Sequence, residues 1–269
     1  MAQTTNTNKH KKLELSIQVH LSGLSFCILN KDDETIDYIK HHSFGKKLNP
    51  FEVLEKLKEF FDSDNALQRP FTNVVVVHDN ELSTLVAKPL FDKDSLADYL
   101  KFNAKILNSD FIAYDNLDTS NCVNVYVPYV NINNFIYDKF GEFTYKHAST
   151  VLIDSIISLK EPSDEKVAYV HVGQGHFEIL ISEKRNVLLY NTFQFTTKED
   201  FIYYILFTFE QLQLNPETQR LMLLGAISSE DPLFEMVYKY VRHVNVFNAS
   251  KSSESLQGVD QNFIISNSL

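Results

Sequence analysis

The chain has 269 residues, enough for one large domain or two of moderate size with a sizeable core. Hydrophobic residues make up 44% and charged residues 22%, and the longest apolar run, Phe201 to Phe209, holds Thr208 and falls far short of the roughly 18 residues a membrane span needs. A formal net charge of −10, with basic clusters only at Lys9–Lys12 and Lys46-Lys47, excludes a nucleic-acid partner.

Residues 1–12 are polar and end in His10-Lys11-Lys12 with no apolar segment behind them, so a flexible tail and a cytoplasmic location are expected. Leu15 to Val19, Leu24 to Leu29 and Thr35 to Ser43 alternate as three antiparallel strands joined by turns at Ser22-Gly23 and Lys31-Asp32-Asp33. Cys27 falls inside this pattern as a buried small hydrophobe, and with Cys122 it suits a reducing compartment. Asn49-Pro50 opens a helix in which Phe51, Leu54, Leu57, Phe60 and Phe61 recur at helical spacing. The unbroken Val74-Val75-Val76-Val77 run then marks a strand covered on both faces.

A unit with its own pattern follows at about 92–147. It reads as a helix from Asp92 to Leu107, strands at Phe111 to Tyr114 and Val123 to Val127, a helix at Ile132 to Phe140 and a strand at Thr144 to His147. Val151 to Leu159 leads onward from it. Strands are then expected at Val167 to Val172, Phe177 to Ser182 and Val187 to Phe195, and a helix at Lys198 to about Leu212 with Thr196 and Glu199 as its capping box. Leu221 to Leu224 is a second buried strand, before a helix at Pro232 to Tyr240 and a strand at Val244 to Phe247. The Ser-rich stretch 250–261 reads as a mobile tail, after which Phe263-Ile264-Ile265 is expected to dock as a strand or meet a partner.

The second half repeats the first. Val19-His20-Leu21 and Phe26-Cys27-Ile28-Leu29 are echoed, 151 positions on, by Val170-His171-Val172 and Phe177-Glu178-Ile179-Leu180, and Ile36, Tyr38 and Phe44 fall opposite Val187, Leu189 and Phe195. The domains expected are a first half at 13–165 that carries the insertion, a second half at 166–249, and a mostly flexible end at 250–269.

This order of duplicated hairpin sheet, helix, strand, helix and strand resembles the actin-like ATPase superfamily, an α/β fold with ribonuclease H-like halves and mixed sheets flanked by helices. The inserted unit is similar to that of the pilus-assembly and division-protein branch. Leu85-Val86-Ala87-Lys88-Pro89-Leu90-Phe91 resembles a Leu-Val-x-x-x-Leu-Phe stretch of an uncharacterised Bacteroidetes family assigned to that fold. The resemblance implies two Asp-x-Gly phosphate hairpins and a Gly-Gly adenosine motif. They fall here on His20-Leu21-Ser22-Gly23, on His171-Val172-Gly173-Gln174-Gly175 and on Gly225-Ala226.

Both Asp positions are therefore His, which cannot offer the hard anionic oxygen that Mg²⁺ prefers, and one adenosine glycine is replaced. The expectation is a scaffold or interaction protein with the ATPase residues lost and no catalytic residue, ATP, Mg²⁺ or other metal. Its partner is another protein or a second copy of the chain, met at the aromatic helix bearing Phe201, Tyr203, Tyr204, Phe207 and Phe209. Three alternatives stand beside it. The glycines at 173, 175 and 225 leave amides for a nucleotide phosphate. His171 and His176 flank the second hairpin as metal ligands, with Glu178 the only carboxylate nearby. His78-Asp79 sits at the carboxyl edge of a buried strand, where α/β enzymes hold catalytic groups, or forms an ordinary turn with Asn80.

Overall fold

The computed structural model describes residues 11–117, 119–159, 165–173, 175–247 and 262–269, so the segments 1–10 and 250–261 of the expected tails, and Gln174, lie outside the described residues. The chain forms β1 (Leu13–His20), β2 (Gly23–Asn30), β3 (Thr35–Ser43), α1 (Pro50–Ser63), β4 (Asn73–His78), β5 (Ser83–Ala87), α2 (Leu96–Leu100), β6 (Ala113–Leu117), β7 (Cys122–Tyr126), α3 (Val130–Phe140) and β8 (Thr144–His147). It continues with α4 (Ala148–Ile157), β9 (Lys166–Val172), β10 (His176–Glu183), β11 (Asn186–Gln194), α5 (Lys198–Gln211), β12 (Arg220–Gly225), α6 (Pro232–Tyr238), β13 (His243–Val246) and α7 (Phe263–Ser266). Two compact units result, one drawn from 1–78, 129–145 and 268–269, the other from 79–128 and 146–267.

In the first unit the sheet runs β3-β2-β1-β4-β8, with β4 parallel to β1 and the other pairs of the hairpin antiparallel. Leu15, Ile17 and Val19 alternate toward a core closed by Phe26 and Ile28 and by one face each of α1 (Val53, Leu57, Phe61) and α3 (Ile132, Ile136). Asn49 caps α1, its side chain accepting from the Phe51 and Glu52 amides while Glu52 reaches back to the Asn49 amide. Phe51, expected on the buried stripe, faces solvent. Cys27 is buried, and burial pushes its thiol up to about 12.

The second unit holds a sheet of the same order, β11-β10-β9-β12-β13, again antiparallel across β11, β10 and β9 and parallel from β9 to β12 and β13. Strand pairing corrects the 151-residue register. His20 pairs with Gly23 across the first hairpin, and Gly173 donates its amide to the His176 carbonyl across the second, which sets β1 and β2 against β9 and β10 at an offset of 153. The bulge agrees, falling between Ile28 and Leu29 in one half and Ile181 and Ser182 in the other. The 151 offset holds only from β3 to β11, because residues 31–34 join β2 to β3 while 184–185 alone join β10 to β11. Gln18, not His20, is thus the counterpart of His171; His20 corresponds to Gly173.

The stretch expected as one insertion at 92–147 divides. Residues 79–126 supply a separate antiparallel sheet, β5-β7-β6, whose first strand lies ahead of the expected boundary. By contrast α3 and β8 complete the first half, β8 closing its sheet and α3 covering its core. The helix expected from Asp92 to Leu107 is a 3₁₀ turn followed by the five residues of α2; beyond Leu100, Phe102 is 81% exposed and Leu107 faces solvent, while Ile106 packs against the core of the small sheet from outside the helix. In α5, Phe201, Ile202, Ile205 and Phe209 enter the second core, Thr197 with Asp200 forms the capping box one position later than expected, and Tyr203 and Phe207 stack outside. Phe263, Ile264 and Ile265 are buried in a helical turn against α4 and β12 rather than in a strand.

Ile28 and Ile181 occupy matching places beside the two bulges and are fully buried. Ile28→Ala and Ile181→Ala are each expected to lower unfolding free energy by about 2–5 kcal/mol, read from urea titrations followed by circular dichroism.

Candidate functional site

The chemistry of the second unit gathers on one face of β9, β10 and β11. His171 and Glu178 are direct cross-strand partners, and His176 precedes Glu178 by two residues, so the hairpin sets both imidazoles on the same side of the sheet as the carboxylate. The two histidines, read along a single strand, would point to opposite faces; the reversal of the chain between them brings them together. His171 Nδ1 lies 2.9 Å from Glu178 Oε2, and His176 Nε2 lies 3.4 Å from Glu178 Oε1. Glu178 is 5% exposed. Burial alone would raise its pKa, but the bonds to His171 and then His176 outweigh that and hold the carboxyl well below the usual range.

Two glycines make room for the rings. A Cβ on Gly173 would stand 2.7 Å from Cε1 and 2.8 Å from Nε2 of His176, and one on Gly225 would stand 2.8 Å from Cδ2 of His171 and 2.6 Å from the Val172 carbonyl. Gly225 also has φ +83°, a conformation that L side chains rarely adopt. Gly175, with φ +73°, turns the hairpin in open space, and the neighbouring Ala226 is exposed and donates its amide to the Val172 carbonyl.

Asp79, just past the end of β4, completes the group. Its carboxylate, His176 and Glu178 each offer a ligand atom within 4.8 Å of the others. The sequence offered Asp79 only as a neighbour of His78, and the two residues serve different ends. His78 is buried in the first unit, where Nδ1 accepts the Tyr129 amide at 3.2 Å and Nε2 accordingly donates to Asn133 Oδ1 at 2.9 Å.

His20 is likewise engaged locally, Nδ1 accepting the Ser22 amide at 3.1 Å and bonding Ser22 Oγ at 2.6 Å. The same His-x-Ser arrangement recurs at the start of α4, where His147 Nδ1 accepts the Ser149 amide at 3.1 Å and bonds Ser149 Oγ at 2.7 Å. Its Nε2 donates to the Asn80 carbonyl at 3.0 Å, and Asp115 accepts the His147 amide, Thr150 Oγ1 and the Tyr126 hydroxyl. A neutral ring is therefore fully satisfied as the helix cap. Burial drives the His147 pKa down to about 4, against the weaker pull of Asp79, Asn80 and Glu178. Nearby, burial and then the Glu178 charge raise the Tyr190 hydroxyl well above its ordinary value.

The backbone approaches at Gly173 and Gly225 are taken by imidazole rings, and the Glu178 carboxylate lies beside them.

His147 binds a proton more readily unfolded than folded, so stability rises with pH between about 4 and 6.5 and is lost as pH falls through that window. The loss is on the order of 3 kcal/mol for a shift of this size. His147→Asn keeps an N-cap acceptor without a titrating ring; urea titrations at pH 7 and pH 4.5 are expected to show a smaller acid-induced loss in the variant than in the wild type.

The whole chain is similar to solved structures of one fold. A Bacteroides thetaiotaomicron protein with actin-like ATPase fold and unknown function matches with TM-score 0.80 and 22% identity, over 98% of this chain and 99% of that one. A chain of the PilM–PilN type IV pilus biogenesis complex matches with TM-score 0.56 and 13% identity, over 95% and 96%. The ethanolamine utilization protein EutJ from Carboxydothermus hydrogenoformans matches with TM-score 0.51 and 8% identity, over 96% and 90%. The fold is thus actin-like, an α/β architecture of mixed sheets flanked by helices. No helix among the described residues is long and apolar enough to cross a membrane. No curated protein matches the sequence. A family match does extend over residues 2–244, and by it the chain belongs to the family described as protein of unknown function, DUF3822.

Proposed function

We propose that this chain is an actin-like protein that does not hydrolyse ATP and acts in the cytoplasm by binding other proteins. The observation that carries the reading is the closed second hairpin: the two glycine approaches face His176 and His171, and both rings hold the anionic Glu178. Two features would have to change together before a nucleotide triphosphate and its Mg²⁺ could be held there, namely the rings, one of which stands at position 171 in place of an acid, and the buried carboxylate.

Support for a binding role comes from apolar side chains left in water. Leu90, Phe102, Leu107 and Phe111 are exposed on the residues around α2, and Tyr203, 60% exposed, stacks on Phe207 along α5. Their aromatic content is that of surfaces which bind partners. The similar pilus chain comes from a protein–protein complex, PilM with PilN, which makes the same kind of role reasonable here.

Isothermal titration calorimetry with Mg-ATP is expected to give no binding heat at micromolar to millimolar nucleotide, and a phosphate-release assay no turnover above buffer. Micromolar binding of Mg-ATP, or phosphate release above buffer, would sink this reading.

A further inference from the structure

The structure assigns to Asp79, His176 and Glu178 a binding site for a first-row divalent cation of the Zn²⁺ class, with His171 as the residue that orients Glu178. This goes beyond the loss of ATP hydrolysis and does not depend on it. Three observations converge. First, the donor atoms come from two separate parts of the chain, β10 and the residue after β4, yet lie within 4.8 Å of one another.

Second, His176 Nε2 and Glu178 Oε1 are 3.4 Å apart, long for a charge-assisted hydrogen bond. It matches the edge of a tetrahedron of ligands, about 3.4 Å for bonds of about 2.0–2.1 Å. Third, the other carboxylate oxygen, Oε2, is held by His171 Nδ1 at 2.9 Å, so Glu178 presents Oε1 to the site in a fixed orientation. That is the outer arrangement by which metal ligands are oriented, here with a histidine supporting a carboxylate.

The charges agree. With neutral imidazoles, Asp79 and Glu178 bring two negative charges into a half-buried face, which a divalent cation balances. One imidazole nitrogen with two carboxylate oxygens favours Zn²⁺, Co²⁺ or Ni²⁺ over Mg²⁺ and Ca²⁺, whose preferred donors are oxygen alone. Three protein ligands leave a fourth position of a tetrahedral ion for water or for a donor from a bound molecule. Gly173 is part of the design, since any side chain there would push the His176 ring off the site.

The test uses the full chain freed of metal with a chelator and then titrated with Zn²⁺ and, separately, Mg²⁺, in nucleotide-free buffer. One equivalent of Zn²⁺ is expected to bind with micromolar or tighter affinity and to raise the melting temperature, with no comparable effect of Mg²⁺. Co²⁺ is expected to give the visible absorption of a tetrahedral ion. His176→Ala and Asp79→Asn, each checked by circular dichroism for native fold, should weaken Zn²⁺ at least tenfold, and His171→Ala by roughly 10–100-fold. His243→Ala, at an exposed position of β13, should leave it unchanged. No Zn²⁺ uptake by the wild type up to about 100 micromolar would overturn the site. So would uptake undiminished in both Asp79→Asn and His176→Ala. Asp79 is only half-buried, so its variant keeps the test decisive if a substitution at Glu178 fails to fold.

Discussion

A carboxylate buried between strands is the constraint around which the second unit is arranged. Glu178 cannot keep its charge in that position without partners, because desolvation of an isolated anion costs several kcal/mol. The sheet supplies them from its own hairpin, His171 across the ladder and His176 two residues back. Each ring in turn needs space against the backbone, and that space exists only because positions 173 and 225 lack side chains. The two glycines thus serve to seat imidazoles.

A second polar centre fixes how the chain enters α4. His147 caps that helix as a neutral ring, Asp115 on β6 receives its amide together with Thr150 and Tyr126, and Asn124 on β7 bonds Ser149 and Thr150. These bonds join the small β5-β7-β6 sheet to the start of α4 through buried groups, with Asn124 engaged through Nδ2 while its buried Oδ1 accepts no hydrogen bond. They also explain why burial can strip His147 of its basicity without cost to the helix: the ring is used as acceptor and donor at once.

Much of the fold could be read from the sequence because alternation and length speak directly of strands and helices. The two hairpin sheets, the all-valine strand at 74–77 and the helix at 198–211 follow from local pattern. The register of the repeat did not, for a physical reason: apolar alternation has a period of two, so offsets of 151 and 153 place the same kinds of residue on the same faces, and only hydrogen bonding separates them. That is why His20 stood in for Gln18. The allotment of α3 and β8 to the insertion failed because pairing with β4 is a fact of space, invisible in chain order. The candidate site was half legible. His171, His176 and Glu178 are in view as residues flanking one hairpin, but only the pairing of β9 with β10 shows that the turn brings both rings onto one face; Asp79 stands in the sequence only beside His78, and nothing local links it to a residue about a hundred positions away.

The turns that join the second and third strands of the two sheets differ in length by an even number, four residues at 31–34 and two at 184–185. Below both turns the bulge sits at the same rung, so the sheet itself has not slipped. An odd change would have sent every core residue of β3 or β11 to the opposite face, whereas a pair of residues can be added or removed at the tip with each side chain left where it was. Length at this tip is quantised by the pleat, and chain growth here proceeds two residues at a time or requires a new bulge to absorb the remainder.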